Sequence, residues 1–413
     1  MGHNDAGIDK DMETLANRLR AGLLEGGDDL LSQGTHPAEW IRQQNEDGSW
    51  PDVDYDDRSR TKWIPGTHTS RLEQLARAFR TDGVYFLMQR GDEYHGTQPL
   101  LDYRRLPGLT FIDTDAPFPY GRDVKQFGNT AFVGGVSDGL VGVAAMDYAK
   151  DVVRAHKAYF FLEDGWVCLG AGISAASDCH AITSLNQCLL KSDVAFLQNG
   201  TVRPLEGHHI EADDLQGVHH DGVGYYFLEL QPTVVTAGSQ SGSWRDVEEN
   251  ALSDEVITKD VFSLWVDHGS RAVDAQYAYR IMPGVDRDAF ATAAEDRPVH
   301  VLSNSPNLQA LSVPDRRLVQ CVFYAAGVLE IPGGQSIRVD RPCMVMLRSN
   351  GDLVHFSIAD PTQALQQVQV RLEGRYAGGG SYTGAENSTV MTVDLPRDEF
   401  AGKSVQVVLR PVS

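Results

Sequence analysis

Two apolar runs near the middle of the chain lack the alternation of apolar and polar residues that is typical of a half-exposed strand. They lie on either side of Glu163-Asp164-Gly165 in the stretch KAYFFLEDGWVCLGAGI (157–173). Asp-Gly between two β-prone runs is a strong hairpin signal, because the turn needs a positive φ that Gly165 adopts without steric cost. The pattern therefore predicts a hairpin that is covered on both faces inside a stack of sheets. The side chains predicted to be buried between the layers are Phe160, Phe161, Trp166 and Leu169.

Short β-prone runs, of which GVYFLMQ (83–89) is one, are separated by Gly, Asp, Asn or Pro over residues 81–330. This region shows little helical patterning and is predicted to form a large antiparallel β-sandwich. Near IPGGQS (331–336) the pattern restarts as shorter strands. A separate small β-sandwich is therefore predicted over residues 331–413.

The first eighty residues have a different pattern. Apolar side chains recur at helical spacing over residues 9–24, and a second helical stripe of Leu72, Leu75 and Phe79 begins near Ser70. Residues 1–80 are predicted to be a short helical segment that packs on the β domain. The predicted fold class is mainly β, with a short helical segment before the two sandwiches.

Composition and charge narrow the classes of partner. The 413 residues carry a formal net charge of −21 without a cluster of Lys or Arg, which argues against nucleic acid and anionic membranes as partners. The N-terminus has no apolar stretch of an export signal, and no apolar run approaches the ~18 residues of a membrane span. The five cysteines form no CxxC pair, and Cys168 and Cys343 lie in apolar runs, so buried thiols are predicted.

Several phrases resemble polysaccharide lyase family 8, which includes hyaluronate, chondroitin AC and xanthan lyases. These phrases are DYRRLPGLT (102–110), FVGGVSDGLVGVAAMDY (132–148), KAYFFLEDGWVCLGAGIS (157–174), VHHDGVGYYF (218–227), GSWRDVEEN (242–250), LWVDHG (264–269), YAYRIMP (277–283) and ADPTQ (359–363). The resemblance implies a β super-sandwich followed by a small β domain. It also implies β-elimination on a glycan that contains uronic acid, which is the expected partner. Relatives in the family are commonly secreted. No compartment or oligomeric state is predicted for this chain.

The N-terminal stretches GSWPDVDYDD (48–57) and WIPGTHTSRLEQLARAF (63–79) resemble the start of the family's α/α toroid. Helical sequence stops near residue 80, whereas the family's toroid continues for several hundred residues. The family's catalytic Asn, His, Tyr and Arg motifs are not found in this sequence, so no catalytic residue is carried over. Two hypotheses follow, a lyase with a rearranged site and a non-catalytic relative that binds carbohydrate.

A lyase of this type needs a base, an acid and a group that neutralises the uronate carboxylate. Residues of these chemical types occur near residue 80. The catalytic candidates are therefore His68, Arg71, Tyr85, Tyr94 and His95. The aromatic residues that offer faces for sugar rings, and are the substrate-binding candidates, are Trp50, Tyr55 and Trp63. The structural alternatives are local pairing at a helix start for His68 and Arg71, a core position for Tyr85, and domain packing for the tryptophans.

Four histidines that lie close together in the sequence are candidate metal ligands, namely His208, His209, His219 and His220. Two His with a nearby carboxylate such as Asp221 suit zinc. However, the resemblance explains VHHDGVGYYF as a structural turn that enters a strand, and no metal is predicted. The Gly-rich phrases GAGIS and GGVSDG precede no helix, so no nucleotide cofactor is predicted.

Overall fold

The computed structural model describes residues 82–114, 130–246, 253–296 and 298–412. The strands of this part of the chain are β1 (Thr110–Ile112), β2 (Val133–Ser137), β3 (Gly142–Lys150), β4 (Val153–Leu162), β5 (Gly165–Ala175), β6 (His180–Leu189), β7 (Ala195–Gln198), β8 (Thr201–Pro204), β9 (His209–Ala212), β10 (Leu215–His220), β11 (Val223–Phe227), β12 (Thr233–Ser243), β13 (Val256–Ser270), β14 (Ala275–Pro283), β15 (His300–Asn304), β16 (Leu308–Val313), β17 (Leu318–Phe323), β18 (Gly327–Ile331), β19 (Gln335–Val339), β20 (Cys343–Asn350), β21 (Leu353–Ala359), β22 (Gln367–Glu373), β23 (Tyr376–Ala377), β24 (Ser381–Thr383), β25 (Ser388–Asp394) and β26 (Val405–Pro411). Short 3-10 turns occur at Gln98–Leu100, Trp244–Asp246, Pro314–Arg316, Gly384–Glu386 and Asp398–Phe400.

The strands form four sheets that stack in sequence. Sheet A has the order β1-β6-β13-β12-β9, sheet B β2-β3-β4-β5-β14-β11-β10-β7-β8, sheet C β15-β16-β17-β20-β21-β26-β23, and sheet D β18-β19-β22-β25-β24. One apolar core holds Phe262 of sheet A against Tyr225 of sheet B, and a second holds Phe160 of sheet B against Met346 of sheet C. A third core lies between sheets C and D. The mainly β prediction is confirmed, with neighbouring strands antiparallel throughout the described sheets.

The central hairpin is present as predicted. β4 and β5 pair from Val153 to Leu162, with Leu162 opposite Gly165 and a two-residue turn at Glu163 and Asp164. Gly165 has φ +135°, and a Cβ there would overlap the carbonyl oxygen of Ile281 in the neighbouring strand β14. Glycine is therefore required both by the backbone conformation and by the close approach of β14.

The burial predicted for the hairpin is correct on one face only. Phe160 and Leu169 are fully buried between sheets B and C. The prediction is wrong for Phe161, which is 41% exposed, and Trp166 is only partly buried. Successive side chains of a strand point to opposite faces. Phe161 therefore points away from sheet C, and its position next to the turn leaves the ring open to solvent beside Trp166, with the ring centroids 6.5 Å apart.

Residues 83–89 do not form the predicted strand. The backbone N–H of Tyr85 donates to the carbonyl of Pro107, but the segment does not join a ladder. The Glu93 carboxylate accepts hydrogen bonds from the backbone N–H groups of Gln89, Arg90 and Gly91. These contacts hold the turn at the end of the apolar run, and the segment itself packs by side chains such as Val84 and Leu87.

The predicted boundary near residue 331 lies between β17 and β20, which are neighbours in sheet C. β15–β17 precede residue 331, yet β17 pairs with β20, so the residues on both sides of 331 share sheet C. The division into 1–80, 81–330 and 331–413 stays a prediction. The predicted helices of residues 1–80, with Leu72, Leu75 and Phe79, lie outside the described residues. Within the described ranges, no helix has the length and apolarity needed to cross a membrane.

The cysteines are free thiols, all of which lie in the described part of the chain. Cys168 and Cys343 are buried as predicted, and Cys188 and Cys321 are also buried. Burial raises the pKa of the Cys168 thiol to about 12, so this group stays protonated at neutral pH.

Candidate functional site

Residues 91–105, the crossing segment, pack against strands β6, β12 and β13 of sheet A. Its 3-10 turn packs so closely on β12 that a Cβ at Gly242 would overlap the carbonyl oxygen of Pro99. Lys259 of β13 donates a hydrogen bond of 2.7 Å from Nζ to the carbonyl of His95. The segment that carries Tyr94 and His95 is thus held by two neighbouring strands.

Gln187 of β6 holds the far end of the crossing segment. Its Oε1 accepts from the backbone N–H of Asp102 at 2.7 Å, and its Nε2 donates to the carbonyls of Asp102 and Arg105 at 3.0 Å each. The Arg105 guanidinium lies 4.1 Å from the ring centroid of Trp265 and donates to both carboxylate oxygens of Asp113. These residues carry no local sequence signal, because their contacts join positions that are distant along the chain.

Tyr94 extends from the crossing segment into the apolar core between sheets A and B. Its hydroxyl accepts a hydrogen bond from the backbone N–H of Leu87 and donates to Oδ1 of Asn186 at 2.9 Å. Burial raises the pKa of the Tyr94 phenol well above its usual value, so the phenol is neutral at pH 7. In this arrangement the hydroxyl ties the crossing segment to β6.

Tyr85 is held in a similar way near the hairpin. Its hydroxyl donates to the carbonyl of Leu185 at 2.8 Å and lies 3.3 Å from the hydroxyl of Tyr279. Its ring packs edge-on against Trp166 and Tyr159. Burial also raises the pKa of the Tyr85 phenol well above its usual value. These contacts match the core position considered for Tyr85 as the alternative to a catalytic role.

His95 differs from the two tyrosines because its side chain is exposed at the surface of the crossing segment. The backbone N–H of His95 donates to the carbonyl of Asp92, and the backbone carbonyl of His95 accepts from Nζ of Lys259. The backbone is therefore fixed while the ring faces solvent. The other candidates lie outside the described residues, namely His68, Arg71, Trp50, Tyr55 and Trp63. The catalytic and substrate-binding assignments stay predictions.

The histidine cluster makes structural contacts. The His219 ring lies 2.8 Å from the carbonyl of Val285, and His208 lies 2.8 Å from the carbonyl of Ala237. The His220 ring stacks on Phe262, and burial lowers its pKa to about 4. The described residues contain no group of three or more His, Cys, Asp or Glu placed to hold a metal ion.

A buried lysine is an unexpected feature of this region. Lys157 lies in β4 inside the core, where its ammonium group donates to the carbonyl of Gly108 and lies 5.1 Å from the ring centroid of Tyr148. Loss of hydration lowers its pKa to about 7. Burial of Lys157 could not be predicted from the sequence, since the ammonium group of a lysine beside an apolar run normally reaches solvent.

Comparisons with known proteins place this architecture in a family. The polysaccharide lyase family 8 super-sandwich domain matches residues 64–294, and the family's C-terminal beta-sandwich domain matches residues 300–369. Chondroitinase-AC of Pedobacter heparinus is 32% identical over 361 residues, which is 86% of this chain and 49% of the relative. Hyaluronate lyase of Thermasporomyces composti is 30% identical over 282 residues, 67% of this chain and 35% of the relative.

Solved structures agree with this assignment. A chondroitinase AC lyase, known from enzyme–oligosaccharide complexes, superposes with a TM-score of 0.69 at 30% identity and covers 77% of this chain and 46% of that protein. A Paenibacillus xanthan lyase gives a TM-score of 0.69 at 22% identity, with 80% and 33% coverage, and so supports the fold alone. The chain spans half or less of the length of these proteins. On the match of both domain types in order, the chain belongs to polysaccharide lyase family 8.

Proposed function

We propose that this chain acts as a lyase on a glycan that contains uronic acid, by β-elimination. The observation that carries the proposal is the 32% identity to Chondroitinase-AC over 86% of the chain. In β-elimination a base removes the C5 proton, the C4–O bond breaks, a C4–C5 double bond forms, and the leaving oxygen takes up a proton. A positive group must first neutralise the uronate carboxylate, because its charge opposes removal of the neighbouring proton.

Among the described candidates, His95 has the geometry that fits this chemistry best. Its ring is exposed on a segment whose backbone is held by Lys259, so a glycan on sheet A can reach it. A neutral imidazole has a ring nitrogen that can accept a proton, so His95 is the proposed base for the C5 proton. Arg71, which is always cationic, is the proposed partner of the carboxylate. Tyr85 and Tyr94 would act by holding the segments around this site.

A specific observation favours a second candidate function, that of a non-catalytic protein that binds carbohydrate. The hydroxyls of Tyr85 and Tyr94 make hydrogen bonds within the core, so two of the three described candidates are engaged there. A chain that kept the sandwich and lost the reactive groups would retain these structural contacts.

The test is incubation of the protein with hyaluronan, chondroitin, xanthan and alginate, with ultraviolet absorbance of the unsaturated uronate as the readout. We expect product from at least one glycan. Arg71→Ala and His95→Ala should each reduce turnover by roughly 10²–10³-fold, which is typical of losing one transition-state contact. His300→Ala is the matched control, because His300 is an exposed histidine of β15 in sheet C.

Absence of product from every glycan with wild-type protein, together with calorimetric binding of an oligosaccharide, would replace the lyase proposal with the carbohydrate-binding one. If both variants form product at the wild-type rate, the lyase proposal stands, but the proposed roles of Arg71 and His95 are wrong.

A further inference from the structure

A cleft of about 370 Å³ opens on the outer face of sheet D, in the C-terminal part of the chain. It is lined by Ala326, Gly327, Val328, Arg338, Val339, Asp340, Gln369 and Arg371. Ile337 and Val370 point into the core between sheets C and D. Because side chains alternate along a strand, Arg338, Gln369 and Arg371 point to the opposite, open face.

Two arginines face each other across this cleft. Arg338 of β19 pairs directly with Arg371 of β22 in the strand register. Like charges in directly opposed positions of a sheet destabilise it, so an anion bound between the two guanidinium groups would relieve their repulsion. Arg371 forms an ion pair with Glu386, whereas Arg338 has no carboxylate within ion-pair distance among the described residues.

The rest of the cleft offers groups for hydroxyls. Gln369 lies beside the arginines with its amide on the open face, and its backbone N–H donates to Oδ1 of Asp340 at 2.8 Å. The second oxygen of Asp340 is 4.0 Å from Arg341. Val328 stands opposite Arg338 in β18 and supplies an apolar wall. The cleft thus combines two guanidinium groups, an amide, a carboxylate and a small apolar surface. This combination suits a charged sugar.

Acidic groups also lie near this cleft and limit which anions it suits. Glu373 is one position further along the same face of β22, where it accepts a hydrogen bond from Ser336, and Glu330 lies opposite Ser336. A multiply charged group such as a phosphate would be repelled by these carboxylates. A single carboxylate on a sugar ring can instead reach the arginine pair while its hydroxyls face the acidic side.

Resting on the proposed function, we propose that this cleft on sheet D, separate from His95 beside sheet A, is a second glycan-binding site that takes one uronate residue. The uronate carboxylate binds between the guanidinium groups of Arg338 and Arg371, whose planar forks match its two oxygens. Gln369 and Asp340 bind ring hydroxyls. The volume lies within the usual range for small-molecule sites. The site would hold a polymeric substrate on the protein without taking part in bond breaking.

The experiment compares two tetrasaccharides by calorimetry, one from hyaluronan and one from chitin, which has no carboxylate. Wild-type protein should bind the hyaluronan tetrasaccharide and protect residues 335–340 and 367–373 from hydrogen–deuterium exchange. Arg338→Ala and Arg371→Ala should each weaken this binding about tenfold or more, as expected for loss of a charge-assisted hydrogen bond. Arg371→Lys should retain only part of the wild-type affinity, because lysine keeps the positive charge but cannot form two parallel hydrogen bonds to a carboxylate.

Arg410→Ala is the matched control, since Arg410 is an exposed arginine of β26 in sheet C. Equal affinity for the chitin tetrasaccharide, no protection of these two strands, or unchanged binding in both alanine variants would overturn the proposal. Thermal melting verifies that the variants fold. The outcome is separable from lyase activity, because strand protection is measurable without turnover: protection of the two strands with no unsaturated product would retain this site and refute the lyase proposal.

Discussion

Asp164, at the turn of the central hairpin, is predicted to be the most sensitive single charge in the described structure. Its Oδ2 lies 3.1 Å from Nη2 of Arg280 and 3.3 Å from Nη2 of Arg316. The Arg280 side chain is only 2% exposed, and that of Asp164 is 12% exposed. Asp164→Ala would leave the Arg280 guanidinium buried without this carboxylate.

The expected magnitude follows from burial. Removing one partner of a buried ion pair destabilises by about 3–5 kcal/mol, because the remaining charge keeps its desolvation penalty. Glu163 is the neighbouring residue and provides the control: its side chain is 60% exposed and its Oε2 lies 3.7 Å from Nη1 of Arg316. An exposed pair of this kind contributes only about 0–1 kcal/mol, so Glu163→Ala should be nearly neutral.

The assay is urea unfolding followed by circular dichroism, with both variants and wild type at the same pH. Asp164→Ala should unfold at a clearly lower urea concentration, and Glu163→Ala close to wild type. The double variant Asp164→Ala/Arg280→Met should recover part of the loss, because it also removes the buried positive charge that Asp164 balances. Equal midpoints for the two single variants would refute the reasoning, since burial would then not decide the effect.

Two further predictions concern the same strands. The pKa of Lys157 is lowered to about 7 in the folded protein, against 10.5 in the unfolded chain, so the folded state binds fewer protons between these values. The unfolding free energy of wild type relative to Lys157→Met should therefore rise with pH, by up to about 1.4 kcal/mol per unit from pH 7 to 8.5, and a flat difference would contradict the assignment. Gly165→Ala should destabilise by about 1–3 kcal/mol or more through strain and overlap with Ile281. Gly333→Ala, at φ +99° with open space around it, should be milder; equal thermal shifts would show that the overlap is unimportant.

Part of this architecture could be predicted from the sequence because it depends on neighbours along the chain. The hairpin of β4 and β5 needs only a two-residue turn, a glycine with positive φ and apolar runs on either side. Strands such as β14 and β22 could be predicted for the same reason, as could the mainly β class. The buried state of Cys168 and Cys343 also follows from their apolar surroundings.

Other features depend on contacts between distant positions, which periodicity does not reveal. Phe160 and Phe161 are adjacent and alike, yet only the fold decides that one faces sheet C and the other faces solvent. Residues 83–89 have the composition of a strand but do not pair with any strand of the described sheets. The contact of Gln187 with the crossing segment spans more than eighty residues.

The candidate sites divide in the same way. The sequence by itself determined the family and the kinds of group that a lyase near residue 80 would use, because motifs and residue chemistry are local. Only the tertiary structure decided that the Tyr94 hydroxyl bonds in the core while His95 faces solvent. It also decided that Arg338 and Arg371, thirty-three positions apart, stand opposite each other. The register between β19 and β22 places these two arginines opposite each other. That register depends on how whole sheets pack their apolar faces.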